Sequence, residues 1–277
     1  MPRSLTESDG AEGPDPAIEE MYLRLLFSVD EGEFFERLAT TDQQDEGQRT
    51  FLEQQGRARL LLYRFLVHST LRRAIAGALP RSVARLGEAF PTLFSRFIAN
   101  APPKSRLLRD LAPAFVQFGR NRGHGLGVAG YLWDLAQLES AVVKVAASKQ
   151  RQAPLSSEPR IDQGLLFCEA SQLLELSHAV HLLPEDPADR SLPAARPTYL
   201  LAYRNDEHRV LHLELSPLAF AIVSRLRGGE SLGGAVRGAC SAHRQEPQLN
   251  VIEGTAQLLS GLAARGIVLG TSPAHEL

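Results

Sequence analysis

Residues 198–215 read TYLLAYRNDEHRVLHLEL, and this stretch decides the fold of the second half of the chain. Tyr199, Leu201 and Tyr203 alternate with Leu200 and Ala202, and Leu211, Leu213 and Leu215 alternate with His212 and Glu214. A period of two on either side of the turn Asn205-Asp206-Glu207 predicts a hairpin with one buried face. Upstream, Leu173, Leu174 and Leu176 form a short strand-like run. Downstream the period becomes helical over 216–227, 231–243 and 251–265, with Gly228-Gly229 and Gly266 ending the first and last of these helices. A small sheet followed by three helices is a winged-helix-like unit, placed at 161–270 before a short tail, 271–277.

The first half reads as helix. Residues 1–14 are polar, acidic and without apolar period, which predicts disorder. Asp15 then offers a cap and Pro16 a first helical position, with Ile18, Met21, Tyr22, Leu25 and Leu26 on one stripe. Phe34, Phe35 and Leu38 suggest a second short helix. Ala58, Leu61, Leu62, Phe65 and Leu66 make the next stripe, running toward Ile75 and Leu79 before Pro80 interrupts it. Leu93, Phe94, Phe97 and Ile98 mark another helix. Leu108, Leu111, Phe115 and Phe118 follow, then Tyr131, Leu135, Leu138, Val142 and Val145. Residues 15–148 are thus expected to form a helical bundle, joined by a Gln-, Pro- and Ser-bearing linker at 149–160. The fold class expected is mainly α with a small α+β domain.

Charge is distributed unevenly. Residues 57–122 hold thirteen Arg or Lys against two acids, Glu88 and Asp110, whereas the first 56 residues hold fourteen acids against four bases. The net charge of −2 hides this polarity. A basic block attracts an anionic partner: nucleic acid, an acidic protein or the chain's own N-terminal arm. The aromatics interleaved with it (Tyr63, Phe65, Phe90, Phe94, Phe97) fall on the apolar stripes, which favours core over base stacking. With 44% hydrophobic residues and 277 positions, one large core or two modest ones are within reach, and two domains are expected. No run of eighteen apolar residues exists to cross a membrane. Two cysteines are too few for a disulfide scaffold, and they suggest a reduced, cytoplasmic setting.

Chemistry-bearing patterns are sparse. Gly123, Gly125, Gly127 and Gly130 follow helix rather than strand and lack a Gly-Lys-Ser/Thr, so they read as a loop, not a phosphate cradle. His178 and His181 are three apart and His208 and His212 four apart, the latter on the hairpin. No cysteine pair or carboxylate cluster completes a metal set, which usually needs three or four ligands. Cys168 follows Leu165, Leu166 and Phe167 and reads as a buried, inert thiol, and Cys240 as a packed mid-helix one. The expectation is a non-catalytic chain that holds no metal of its own.

An ordered set of residues adds to this. It runs Leu62-Tyr63-Arg64, Leu79-Pro80, Leu86-Gly87 with Phe90, Ala101-Pro102-Pro103 with Ser105, Leu108, Asp110-Leu111, Phe115, Phe118, Gly130-Tyr131-Leu132, Asp134-Leu135, Leu138 and Glu139. In this order, over 56–148, the chain resembles the partner-protein family that accompanies TIM-barrel multinuclear non-haem iron enzymes acting on ribosomally made peptides, in methanobactin-type and thiaglutamate-type pathways. That family formerly carried the label of a putative DNA-binding domain. Residues 167–269 resemble it more loosely. They also resemble small peptide-recognition domains, through Leu213-Glu214-Leu215-Ser216-Pro217-Leu218, Gly228-Gly229-Glu230-Ser231-Leu232, Leu258-Leu259 to Leu262, and Arg265-Gly266-Ile267-Val268. The resemblance implies that iron and oxidative chemistry reside in the partner enzyme, and that this chain binds the precursor's leader and presents its cysteine. It implies enzyme contacts at Tyr63, Arg64, Tyr131 and Asp134. A sheet edge accepts a peptide as an added strand. The expected site is therefore Val210, Leu211, His212 and Leu213, walled by Leu258, Leu259, Leu262 and Arg265. The alternative reading is a DNA-binding regulatory protein that uses the basic block.

Overall fold

The computed structural model describes residues 16–28, 32, 56–105, 107–122, 127–149 and 161–271. The expected acidic start at 1–14, the helix at Phe34–Leu38, the linker from 150 and the tail from 272 lie outside the described residues, as do Gly123 and Gly125. Helices α1 (Pro16–Phe27), α2 (Arg57–Ala78), α3 (Pro80–Leu86), α4 (Ala89–Asn100), α5 (Leu111–Arg122) and α6 (Tyr131–Ala147) come first. Strands β1 (Leu165–Phe167), β2 (Ser171–His178), β3 (Ala195–Arg204) and β4 (Val210–Leu215) follow, then α7 (Pro217–Arg227), α8 (Leu232–Ala242), α9 (Leu249–Ala264) and β5 (Val268–Thr271). The protein is mainly α with a small α+β part.

The bundle core is aromatic. Phe97 and Phe90 meet Phe115 edge-on at 5.5 and 5.9 Å, the geometry that the ring quadrupole favours. Trp133 of α6 lies against α5 so closely that a Cβ on Gly119 would fall 2.0 Å from its ring, so only glycine fits there. The stripe expected on α2 divides: its far end at Ile75 and Leu79 is buried as expected, but its first turns are not. Leu60 and Ile75 are buried, but Leu62, Phe65 and Leu66 face outward, because α2 docks through the opposite side of its cylinder.

Strands β2, β3 and β4 form one antiparallel sheet in that order, and β1 pairs with β5 in a separate ribbon. The ribbon escapes a sequence reading, since its strands are three and four residues long and their pairing is non-local. The central strand is not buried on one face only. Leu200 and Ala202 pack with Leu135, Leu138, Ala141 and Val145 of α6. On the other face Leu201 and Tyr203 join Ile222, Val223, Leu226, Leu259 and Leu262 of α7 and α9. Helix α6 therefore serves two cores, because Leu132, Trp133 and Ala136 point into the bundle.

Polar contacts reinforce this junction. Arg204 of β3 donates to Ala146 O (2.5 Å) and Ser148 O (2.8 Å) at the end of α6, where free carbonyls carry the negative pole of the helix. Arg85 of α3 pairs with Asp189 at 2.7 Å, and Arg81 donates to Leu183 O and Pro184 O.

Candidate functional site: the open sheet edge

A three-stranded sheet has two edges, and here they differ. Alternation decides which main-chain groups face outward. On β2, Arg204 N donates to Ala170 O, so the inward pairs fall on even residues of that strand and odd residues direct their groups away from β3. Two of those outward groups are taken. Ser171 O accepts from Arg227 Nη2 at 3.1 Å, and Ser177 N donates to Asp134 Oδ2 at 3.0 Å. The β2 edge is closed at both ends by side chains.

The β4 edge is open. Asn205 N donates to Arg209 O across the turn, so Tyr203↔Leu211 and Leu201↔Leu213 are the bonded pairs that follow. Val210, His212 and Glu214 accordingly turn their N–H and C=O away from β3, and among the described residues no second strand pairs with them. The side chains split by face. Leu211 and Leu213 lie across from Tyr203 and Leu201 on the α7/α9 side, with Leu211 exposed and Leu213 half-buried. On the α6 side Glu214 bonds Arg196 at 2.5 Å and His181 at 3.1 Å, and Arg196 first of all holds its carboxyl below the usual range. Desolvation by its neighbours pushes the His212 imidazole below its usual value although part of the side chain reaches solvent, and the nearby His181 and Arg81 add to this.

The remaining site residues are placed less favourably. Leu259 and Leu262 do not wall a groove: they sit in the core beneath the sheet, 7% and 0% exposed, because α9 turns its apolar stripe inward. Leu258 lines a groove of about 330 Å³ between α7 and α9, which begins at Ser216 just past β4 and does not include 210–213. Arg265 folds back to donate to Gly261 O of its own helix. The residues expected to meet a partner have internal duties. Arg64 donates to Leu25 O and Ser28 O, and Tyr63 stacks edge-on against Tyr22, so both tie α1 to α2. Asp134 is buried and lies 2.7 Å from His178 Nδ1 while it closes the β2 edge. Tyr131 is half-buried between Arg85 and His178. No local pattern signals these roles, since each partner lies far away along the chain.

Part of the basic block is likewise committed. Arg64, Arg81 and Arg85 bond main-chain carbonyls or Asp189, and Arg72 lies over the Phe94 ring. Cys168 and Cys240 are buried free thiols. Among the described residues no three His, Cys, Asp or Glu side chains gather as a metal site would require, and no helix is long and apolar enough to cross a membrane.

Residues 169–263 match the family model described as the HvfC C-terminal domain. The matched stretch holds the whole β2–β3–β4 sheet, α7, α8 and all but the last residue of α9, and so includes the open edge. This HvfC-like domain fits the partner-protein resemblance drawn from the first half, although it falls on the half where that resemblance is looser. No curated protein matches the chain.

Proposed function

We propose that this chain is a non-catalytic partner subunit in ribosomal-peptide biosynthesis. It binds the leader of a precursor peptide as a fourth strand on β4 and presents the precursor's cysteine to a TIM-barrel multinuclear iron enzyme, which it stabilises or activates. The iron belongs to that enzyme. The observation that supports the reading is the asymmetry of the sheet: β2 has both its ends capped by Arg227 and Asp134, whereas β4 offers its outward main-chain groups along its length within an HvfC-like domain. Strand addition draws affinity from such groups and specificity from alternate side chains. Leu211 and Leu213 would meet apolar residues of the leader.

The test follows from the register. His212→Pro removes an outward N–H and leaves the β3 ladder intact, whereas Leu211→Pro removes an inward one and costs stability. A cysteine-containing precursor peptide from the same genome, labelled at its C-terminus, should bind the wild type. Binding should weaken at least tenfold for His212→Pro, with unchanged circular dichroism. Wild-type affinity in a folded His212→Pro variant would remove the peptide from this edge. A sequence-specific duplex bound at submicromolar Kd, lost steeply with salt, would instead support the DNA-binding reading.

A further inference from the structure

The N-terminal half of α2 presents an apolar face that the bundle does not use. Leu62, Phe65 and Leu66 stand at i, i+3 and i+4 and are 57%, 61% and 53% exposed, while Leu60 and Ile75 on the opposite side are 1% and 0%. Single exposed leucines are ordinary, but three bulky side chains within five residues form a contiguous spot. The face carries only positive charge: Arg59 and Arg73 are exposed on the same side, and 57–87 contains no Asp or Glu. Farther along the helix the face turns polar at Thr70 and Arg73 and ends at Gly77. A helix that lies on a membrane keeps its apolar stripe along its length, whereas a compact spot with a charged rim has the anatomy of a protein interface centre.

We infer that Leu62, Phe65 and Leu66 dock into an apolar depression of a partner protein whose rim is acidic. Charge favours this occupant over a second copy of the chain, since pairing two α2 faces would bring Arg59 and Arg73 against the same arginines, and α2 itself carries no acid to offset them. The inference rests on the partner-subunit reading, which makes the iron enzyme the protein to be docked. It moves the enzyme contact away from Arg64 of α2 and from Tyr131 and Asp134 of α6, whose side chains bond or pack within the chain, to the outward side of the α2 turn that also carries the half-exposed Tyr63.

The 277-residue chain and a TIM-barrel multinuclear iron enzyme from the same genome provide the test, with titration calorimetry as the readout. Phe65→Glu/Leu66→Glu places acid at the centre of the spot, on positions too exposed to unfold the helix. Affinity should fall at least tenfold, while binding of the precursor to the isolated chain stays unchanged. Arg59→Glu/Arg73→Glu should lower affinity less and flatten its salt dependence. Undiminished enzyme binding by the Phe65/Leu66 variant would overturn the inference and leave the subunit reading standing. Failure of the wild type to bind the enzyme would overturn both. A wild-type dimer that this variant converts to monomer would assign the face to a second copy. Sedimentation of the wild type with anionic vesicles, abolished by the variant, would assign it to a lipid surface. Enzyme affinity raised tenfold by removal of residues 1–14 would assign it to the chain's own acidic start. Each of these three outcomes counts against the inference.

Discussion

Glu139 lies on α6 and is only 6% exposed, yet its carboxylate is fully used. It accepts from Arg81 N at 2.9 Å, Ser82 N at 3.0 Å and Ser82 Oγ at 2.6 Å, at the first turn of α3. Helix N-termini expose N–H groups without helical partners, and a carboxylate placed there satisfies them and complements the helix dipole. The cap comes from another helix more than fifty positions away, so it also fixes α3 against α6. Glu139→Gln keeps the shape but discards the charge and turns an NH2 toward one of these donors. We expect a loss of about 1–3 kcal/mol in urea unfolding, with Ser82→Ala costing less. An unchanged midpoint for Glu139→Gln would show that the capping charge contributes nothing. His208 is a different residue-scale case: its φ of 61° lies in the left-handed region, where the hairpin loop calls for a residue without a Cβ. The sequence named neither role, because a remote cap and a turn dihedral leave no periodic trace.

Among elements, those legible in sequence are those whose signals are local. Ser216 and Ser231 begin α7 and α8 as expected, and their hydroxyls accept from Ala219 N and Gly234 N. The hairpin followed from alternation alone, though not its register. The errors have one origin, since periodicity reveals that an apolar stripe exists but not what covers it. The first turns of the α2 stripe face outward while Ile75 and Leu79 are buried, Leu259 and Leu262 went to the core, and β3 is apolar on both faces because helices lie on both. The candidate edge was legible as a strand, but its openness was not, for that depends on what lies in space beside Val210, His212 and Glu214. His212 on this strand gives a pH prediction. Its folded pKa is depressed below the usual 6.5, so the folded state takes up its proton later than the unfolded chain does. Stability is then intact above about pH 6.5 and is lost as pH falls through the folded value. His212→Gln should flatten the loss of thermal stability between neutral and mildly acid pH; equal slopes in the two proteins would exclude His212 as its source.

At the scale of the molecule, the boundary expected near 149–160 does not separate two independent cores. Helix α6 belongs to the bundle through Leu132, Trp133 and Ala136, and to the sheet through Leu135, Leu138, Ala141 and Val145. Without it, Leu174, Leu176, Val180, Leu200 and Ala202 would lie open to water. Apolar burial of this kind couples the unfolding of the parts that share it. Such coupling bears on function, since a leader bound at β4 and an enzyme docked on α2 would act on elements tied to one rigid helix. Leu138 is 1% exposed at this junction, so Leu138→Ala leaves a cavity and should cost about 2–5 kcal/mol. Trp133, the only tryptophan, reports the bundle by fluorescence, and amide exchange along β3 reports the sheet. If α6 couples the two halves, Leu138→Ala lowers both in parallel, and the wild type unfolds in a single transition. A sheet that loses protection while the Trp133 transition stays in place would mean that the halves unfold separately, and that binding at one is not felt at the other through α6.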